Sequence, residues 1–294
     1  MLKYASMTLT SLLWILGSAG VHVVAHVALK TTGNRNAFVW WLLLWGGVLF
    51  LPVAVWRWQP IPGAVWAIMA ISAVFEAAYF LAIARAYQTG DLSIVYPLAR
   101  GTAPLFLLAW STLFLAEPLT GGGAAGVVVI ALGLYVINLP AFGAWRAPLT
   151  ALRGAGPRWA LLAGVCISLY TTVDRVGIRY LDPFLYTYLA LWLTWLLITP
   201  VVLHELGGAR LLAEQRRAGW RSALSGLTTT LAYAIVLSVM AAGTPAGYAG
   251  AVREVSVVFG VVIGVAVLRE PGSAPRLAGA GLVALGVALV KLLG

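Results

Sequence analysis

Long apolar stretches separated by short polar breaks run through nearly the whole chain. About 20 apolar residues in a helix cross a hydrocarbon core of roughly 30 Å, so each stretch predicts one membrane-spanning helix. The predicted fold class is therefore an all-α polytopic membrane protein with ten transmembrane helices. The ten predicted spans are residues 5–29, 37–56, 62–84, 92–115, 121–140, 159–178, 183–203, 220–241, 246–268 and 275–292. The longest polar connections are predicted at 141–158 and 204–219.

Arg100 stands near the middle of an apolar run that extends from Gly90 to Pro118. A guanidinium group at the centre of a bilayer costs at least about 2.5 kcal/mol unless it faces protein or water. Arg100 is therefore predicted to point into the protein.

The second half of the chain repeats this arrangement without a gap. A shift of 153 residues (270 minus 117) superposes five pairs: Gly90 and Gly243, Arg100 and Arg253, Glu117 and Glu270, Gly126 and Gly279, and Gly133 and Gly286. Because each half holds an odd number of spans, five, the halves must be inserted in opposite orientations, as in many secondary transporters. The pattern thus predicts two inverted five-helix repeats, at 1–145 and 146–294.

Glycines are concentrated in the fifth and tenth predicted spans. They are Gly121, Gly122, Gly123, Gly126 and Gly133 in the first half, and Gly279, Gly281 and Gly286 in the second. Small residues allow helix backbones to approach closely in lipid, where van der Waals packing replaces the hydrophobic effect. We predict a scaffold role for these glycines.

Composition excludes a soluble domain. Of the 294 residues, 62% are hydrophobic and 10% are charged, whereas soluble domains have about 45–50% apolar and about 25% charged residues. The single cysteine, Cys166, excludes an internal disulfide and a cysteine metal cluster.

The net charge of +10 reflects basic loops rather than a nucleic-acid partner. Twelve of the basic residues flank the connections between spans 1–2, 3–4, 5–6, 7–8 and 9–10, and four lie at the termini and in the other connections. Cytoplasmic loops are enriched in Lys and Arg, so the charge pattern predicts that both termini lie outside.

The intramembrane polar residues are aromatic, basic and sparingly acidic. Those predicted to bind substrate are Arg100, Arg253, Tyr79, Tyr96, Tyr233 and His22. Those predicted to carry protons are Glu76, Asp174 and Glu254. Such a set suits a small anionic or zwitterionic molecule, because a cation fixes its carboxylate or phosphate and the aromatic faces pack against the remainder.

An alternative for the same charges is a structural one. Buried arginines and carboxylates also form ion pairs that hold helices in register. The neighbours Asp174 and Arg175, and Arg253 and Glu254, are the most open to this interpretation.

Neither a metal site, a cofactor nor catalysis is predicted. His22 and His26 are one helical turn apart, but two histidines without a carboxylate motif are a weak metal signal. Residues 121–126 match GxGxxG, yet they open a membrane helix and follow no strand, which excludes a dinucleotide site. The sequence contains no P-loop, HExxH or GxSxG motif.

Three parts of the chain resemble the ten-helix, EamA-like type of the drug/metabolite transporter superfamily. They are AYQTGDLSIVYPLARGTAPLF with the following LAEP, its counterpart AGYAGAVREVSVVFG with LREP, and SLYTTVDRVGIRY in the sixth span. The stretch GVHVVAHVALK also resembles the first helix of one branch of that family, in which many members carry asparagine at the position of His26. The resemblance implies a secondary carrier with its substrate site at mid-membrane between the repeats, and it implies cytoplasmic termini, opposite to the charge pattern.

The resulting hypothesis is a secondary transporter in the bacterial inner membrane that exports a small anionic or zwitterionic, amino-acid-like metabolite by alternating access. Transport could be proton-linked or facilitative. The alternatives are a flippase or exporter for an amphipathic lipid-linked molecule and a membrane-embedded enzyme. The expected partners are the small-molecule substrate and the lipid bilayer, with no nucleic acid, for a chain acting as a monomer or as an oligomer.

Overall fold

The computed structural model describes residues 7–30, 34–89, 92–146, 152–266 and 273–294. At 23–30, 87–88, 92–94, 96–97 and 263–266 it describes the backbone alone. The described residues form α-helices and one short 3-10 turn, Phe142–Ala144. The helices are α1 Leu9–Lys30, α2 Arg35–Trp56, α3 Gly63–Thr89, α4 Leu92–Leu113, α5 Gly121–Ile137, α6 Ala155–Gly177, α7 Pro183–Ala218, α8 Trp220–Ala241, α9 Ala246–Arg253, α10 Val255–Ala266 and α11 Ala274–Leu293.

The all-helical prediction is confirmed, and each predicted span corresponds to a helix or, in one case, to two. Within the described residues, six helices are long and apolar enough to cross a membrane by length and composition: α2, α3, α6, α7, α8 and α11. Shorter apolar helical stretches lie in α1 and at α5. Many large apolar side chains on these helices are exposed on the outside of the bundle, as expected where the surrounding solvent is lipid.

Helix packing follows the predicted inverted repeat. Each helix of the first repeat has a counterpart in the second: α6 for α1, α7 for α2, α8 for α3, the pair α9 and α10 for α4, and α11 for α5. If every helix is exchanged for its counterpart, the contact of α3 with α6 becomes the contact of α8 with α1. In the same way, the contact of α2 with α8 becomes the contact of α7 with α3. All four contacts are present in the structure. The halves therefore interlock rather than standing side by side.

The contact between α5 and α11 shows that the two copies run in opposite directions. Gly126, early in α5, approaches Gly286, late in α11, so closely that a Cβ on Gly126 would lie 2.9 Å from the Gly286 carbonyl oxygen. Gly133, late in α5, meets Gly279, early in α11, with a corresponding distance of 2.8 Å. In the sequence repeat, Gly126 is equivalent to Gly279 and Gly133 is equivalent to Gly286. Exchanging the two repeats therefore converts the first of these contacts into the second.

The prediction of a polar connection at 204–219 is wrong, because most of this segment belongs to helix α7. The helix is interrupted only at Gly207, whose φ of 71° lies in the left-handed region that glycine adopts without steric cost. After this break the chain is helical again, and Leu211 and Glu214 are buried against the bundle. Trp41 donates its indole N–H to the Leu211 carbonyl oxygen at 2.7 Å. Tertiary packing thus stabilises a helix in a sequence that is polar overall.

The predicted ninth span, 246–268, is two helices rather than one. The i−4 hydrogen-bond pattern is interrupted at Glu254, where the Glu254 N–H donates to the Ala251 carbonyl oxygen at 3.1 Å and the Val257 N–H donates to Glu254 at 2.9 Å. These i−3 bonds are the tight type found at helix ends. The interruption directly follows Arg253, so the two charged residues stand at a discontinuity in the backbone.

Alanine substitution at Gly133 should destabilise the protein, whereas the same change at Gly281 should not. A Cβ at Gly133 would lie 2.7 Å from the Val283 backbone nitrogen, but at Gly281 it would meet nothing within 4 Å. Overpacking costs about 1–3 kcal/mol, and Ala is otherwise favoured over Gly in a helix by roughly 0.5–1 kcal/mol. Thermal unfolding in detergent should therefore shift down for Gly133→Ala and stay level or rise for Gly281→Ala. Equal shifts would contradict the close contact of α5 with α11.

Candidate functional site

Asp174 is a buried acceptor at the junction of four helices. The α6 carboxylate, 1% exposed, receives hydrogen bonds from hydroxyl groups of three other helices. Ser72 of α3 donates to one oxygen, and Tyr186 of α7 donates to the same oxygen at 2.7 Å. Tyr233 of α8 donates to the second oxygen. The desolvated carboxylate is thus satisfied by neutral donors, as burial of a charge requires.

Arg100, Glu254 and Arg253 form a second buried group. The Arg100 Nε atom lies 3.3 Å from one carboxylate oxygen of Glu254, and an Arg253 nitrogen lies 3.8 Å from the other. The side chains of the two arginines are 11% and 13% exposed and that of Glu254 is 2% exposed. With two cations around one anion, the formal charge of this group is +1. It joins α4 of the first repeat to the α9–α10 interruption of the second.

Glu76 lies on α3 one helical turn after Ser72 and is also buried. One of its carboxylate oxygens accepts a hydrogen bond from the Thr194 hydroxyl of α7 at 2.6 Å. Arg253 interacts electrostatically with both Glu76 and Asp174. Arg253 is also near Tyr233, the residue that donates to Asp174, so it links the group around Glu254 to the acids of α3 and α6.

Three tyrosines line the region between these charges. The ring centroids of Tyr79 and Tyr170 are 6.3 Å apart, and those of Tyr170 and Tyr233 are 6.1 Å apart in an edge-to-face arrangement. The Arg253 guanidinium carbon lies 6.0 Å from the centre of the Tyr233 ring. These separations fall at the outer range of aromatic and cation–π contacts. The tyrosines offer aromatic surface beside both charged groups.

The structure brings together seven of the nine predicted site residues. They are Glu76, Tyr79, Arg100, Asp174, Tyr233, Arg253 and Glu254. The side chain of Tyr96 lies outside the described residues, as does that of His26. His22 is half-buried on α1, which packs against α8, α9 and α10, and its role in binding stays a prediction.

Sequence analysis missed three hydroxyl partners of the acids, namely Ser72, Tyr186 and Thr194. A usable signal existed for Ser72, because Ser72, Glu76 and Tyr79 follow one another at helical spacings of four and three and share a face of α3. Tyr186 and Thr194 lie on α7, and no pattern along the chain relates them to acids on α3 and α6. Only the helix packing reveals these pairs.

Glu117 and Arg175 form an ion pair that the sequence pattern did not predict. Arg175 Nε lies 2.9 Å from a Glu117 oxygen, and the two side chains are 1% and 0% exposed. The other Glu117 oxygen accepts the backbone N–H of Ala246 at 2.7 Å, at the first residue of α9. The alternative of a structural pair between Asp174 and Arg175 is therefore replaced, since Arg175 pairs with Glu117 and Asp174 binds hydroxyl groups. The Arg253–Glu254 contact does occur.

Chemically, the site combines a positive end, two carboxylates and aromatic walls. A molecule with one negative and one positive group could satisfy both ends. Within the described parts of the chain, no group of three or more His, Cys, Asp or Glu side chains is arranged to hold a metal ion.

Comparison with known proteins gives one family and one fold. A model of the EamA-like transporter family matches residues 6–139 and, a second time, residues 155–292. A solved structure described only as the crystal structure of a protein is similar over 97% of both chains, with a TM-score of 0.74 and 18% sequence identity. At that identity the similarity concerns the fold alone. No curated protein matches the sequence.

Replacing Glu254 by Gln should destabilise the protein strongly, because Arg100 and Arg253 would then lose the anion between them. Breaking a buried ion pair costs about 3–5 kcal/mol, and the double variant Arg100→Gln/Glu254→Gln should recover part of this loss. Thermal unfolding in detergent provides the measurement.

Arg57→Gln is the matched control. Arg57 lies 3.6 Å from Asp182, but the two side chains are 42% and 20% exposed, and exposed pairs contribute about 0–1 kcal/mol. If Glu254→Gln unfolded at the same temperature as Arg57→Gln, the buried group would not hold α4 against the interrupted helix.

Proposed function

Because this chain belongs to the EamA-like transporter family, and is therefore a multi-pass membrane transporter, we propose that its cargo is a small zwitterionic, amino-acid-like metabolite. The observation that carries the proposal is the position of Arg253. It contacts Glu254, faces the Tyr233 ring and interacts electrostatically with Glu76 and Asp174. A ligand beside Arg253 thus meets both signs of charge.

The distribution of charge favours a zwitterion over a simple anion. Arg100 and Arg253 exceed Glu254 by one positive charge, which suits one carboxylate of a ligand. Glu76 and Asp174 would repel a second negative group, whereas they attract an ammonium group. The tyrosine rings would pack against the apolar or planar part of the molecule.

The inverted repeats support alternating access as the mechanism. In transporters of this type, two structurally related halves rock around a site placed between them. Arg100 comes from the first repeat and Arg253 from the second, so the ligand carboxylate would be held across the interface that moves. Motion of one half against the other would then change the distance between the two arginines and release the cargo.

We assign the proton-carrying role to Glu76 and Asp174 rather than to Glu254. Glu254 is engaged by two arginines, whereas the hydrogen-bond partners of Glu76 and Asp174 are neutral hydroxyl groups. We further propose export across a bacterial inner membrane, with both termini outside as the charge pattern predicts, by a monomer or an oligomer whose partners are cargo and lipid and not nucleic acid.

The cargo class can be tested with sets of compounds that differ only in their charged groups. Leucine and phenylalanine should raise the unfolding temperature of the purified protein, while the corresponding amines and carboxylic acids should not. A ligand at 100 times its dissociation constant adds roughly 2.7 kcal/mol to the folded state. Arg253→Gln and Asp174→Asn should each abolish the shift, and Arg179→Gln, at an exposed position, should keep it.

The other outcomes have defined meanings. Stabilisation by the acids alone would make the cargo an anion, and stabilisation by the amines alone would assign binding to Glu76 and Asp174 without the arginines. Stabilisation by a lipid-linked amphiphile alone would favour a flippase.

Proton linkage makes a separate prediction for Glu76→Gln. In vesicles loaded with the stabilising compound, a pH gradient should drive net transport by the wild-type protein, and Glu76→Gln should lose this drive while still exchanging cargo at equal pH. Wild-type gradient-driven rates in both Glu76→Gln and Asp174→Asn would exclude these two acids as proton carriers.

A further inference from the structure

We propose that Glu117 and Arg175 are positioning residues of the transport path. Their ion pair holds the first turn of α9 in place and thereby sets the position of Arg253 and Glu254 at the other end of that helix. Separation of the pair opens the path on the side of the molecule where α1 begins and α11 ends. The inference rests on the alternating-access transport proposed above.

The Glu117 carboxylate joins three segments at once. One oxygen is bound to Arg175 of α6 at 2.9 Å, and the other accepts the N–H of Ala246 at the start of α9 at 2.7 Å. The first N–H groups of a helix have no partner within the helix, and the helix dipole favours a negative charge beside them. The same carboxylate therefore binds a cation on α6 and fixes the end of α9.

The backbone before Glu117 is in an unfavourable conformation. Ala116 has a φ of 49°, which lies in the left-handed region that residues with a Cβ rarely adopt. Among the described residues it is the sole non-glycine with a positive φ. Such outliers persist where the surrounding structure holds them, and here the ion pair and the Ala246 contact fix the neighbouring carboxylate.

Helix α9 transmits this position to the substrate site. It has eight residues, so its ends are about 12 Å apart at 1.5 Å per residue. All of its residues before Arg253 are buried. Tyr248 accepts the Thr120 backbone N–H at 2.8 Å, and Gly250 packs against Leu107 of α4. A short, fully packed helix moves as one piece, so release at Ala246 would also move Arg253.

The ion pair lies at the end of the bundle where α1 begins and α11 ends. Thr244, two residues before Ala246, is 3% exposed and its hydroxyl is 3.1 Å from that of Ser11 near the start of α1. Thr120, three residues after Glu117, bonds the Leu293 carbonyl oxygen near the end of α11. These contacts shield Thr244 from solvent at this end of the bundle.

The labelling rate of a cysteine at position 244 tests the proposal without any substrate. The background is Cys166→Ser, which removes the one native cysteine, and the reagent is a hydrophilic maleimide added to the purified protein in detergent. In the Thr244→Cys protein the thiol should react slowly, because the position is buried. Adding Glu117→Leu and Arg175→Met together should raise the rate at least tenfold, because these side chains can neither bind each other through a hydrogen bond nor accept the Ala246 N–H.

The double substitution is the decisive variant, because either single change removes one charge of the buried pair and keeps the opposite one. Ser222→Cys is the matched control, since Ser222 is 0% exposed and lies at the start of α8, the opposite end of the helix that precedes Thr244. Its labelling rate should not rise in the double variant. The unfolding temperature and helical content should stay near those of the parent protein.

Two results would overturn the proposal. If the double variant is folded and its Thr244→Cys thiol reacts at the parental rate, the ion pair does not control access to position 244. Faster labelling at both positions 244 and 222 would show general loosening rather than opening at one end. Because this assay contains no cargo, either result leaves the zwitterion proposal intact, and failure of the ligand-stabilisation test would not alter the labelling outcome.

Discussion

Charged side chains inside a membrane protein need partners within the protein, because hydrocarbon offers none. This constraint organises the interior of the bundle. Glu254 binds two arginines, Glu117 binds one arginine and a helix end, and Asp174 collects hydroxyl groups from three helices. Several of these contacts join segments that are far apart in sequence, such as Arg100 with Glu254, Glu117 with Ala246 and Ser72 with Asp174. The polar groups therefore specify how the helices are arranged, while apolar packing and glycine contacts fill the space between them.

The same contacts place the functional groups where the two repeats meet. Arg100 and Glu254 come from different repeats, as do Glu117 and Ala246. In the alternating-access mechanism proposed above, the groups that hold the halves together are also the groups that must separate or shift. An ion pair is suited to this role, because the lost Coulomb attraction is offset when water or a ligand enters and solvates the separated charges. The interruption between α9 and α10 adds a backbone joint beside the charges.

Much of the fold could be predicted because its physical cause is local or periodic. Arg100 could be recognised because it is a charged residue within an apolar run. Gly126 and Gly133 could be recognised because each has an equivalent glycine at the same sequence shift that relates Arg100 to its counterpart. Partner choice was not predictable in the same way. Arg175 has a carboxylate next to it in sequence, yet it pairs with Glu117, 58 residues away, because α4 and α6 pack side by side. The helix after Gly207 was missed for a related reason, since Leu211 is buried by α2, a contact that no local pattern shows.

The α5–α11 contact has a consequence for how such a chain could arise. Gly126 meets Gly286 and Gly133 meets Gly279, so each helix offers the other the same surface in reverse. A surface of this kind is self-complementary, as in two-fold symmetric dimers. A five-helix polypeptide carrying it would bind a second copy of itself inserted upside down, and gene duplication followed by fusion would convert that dual-topology dimer into a single chain. The contact between α5 and α11 has the geometry that such a dimer would require.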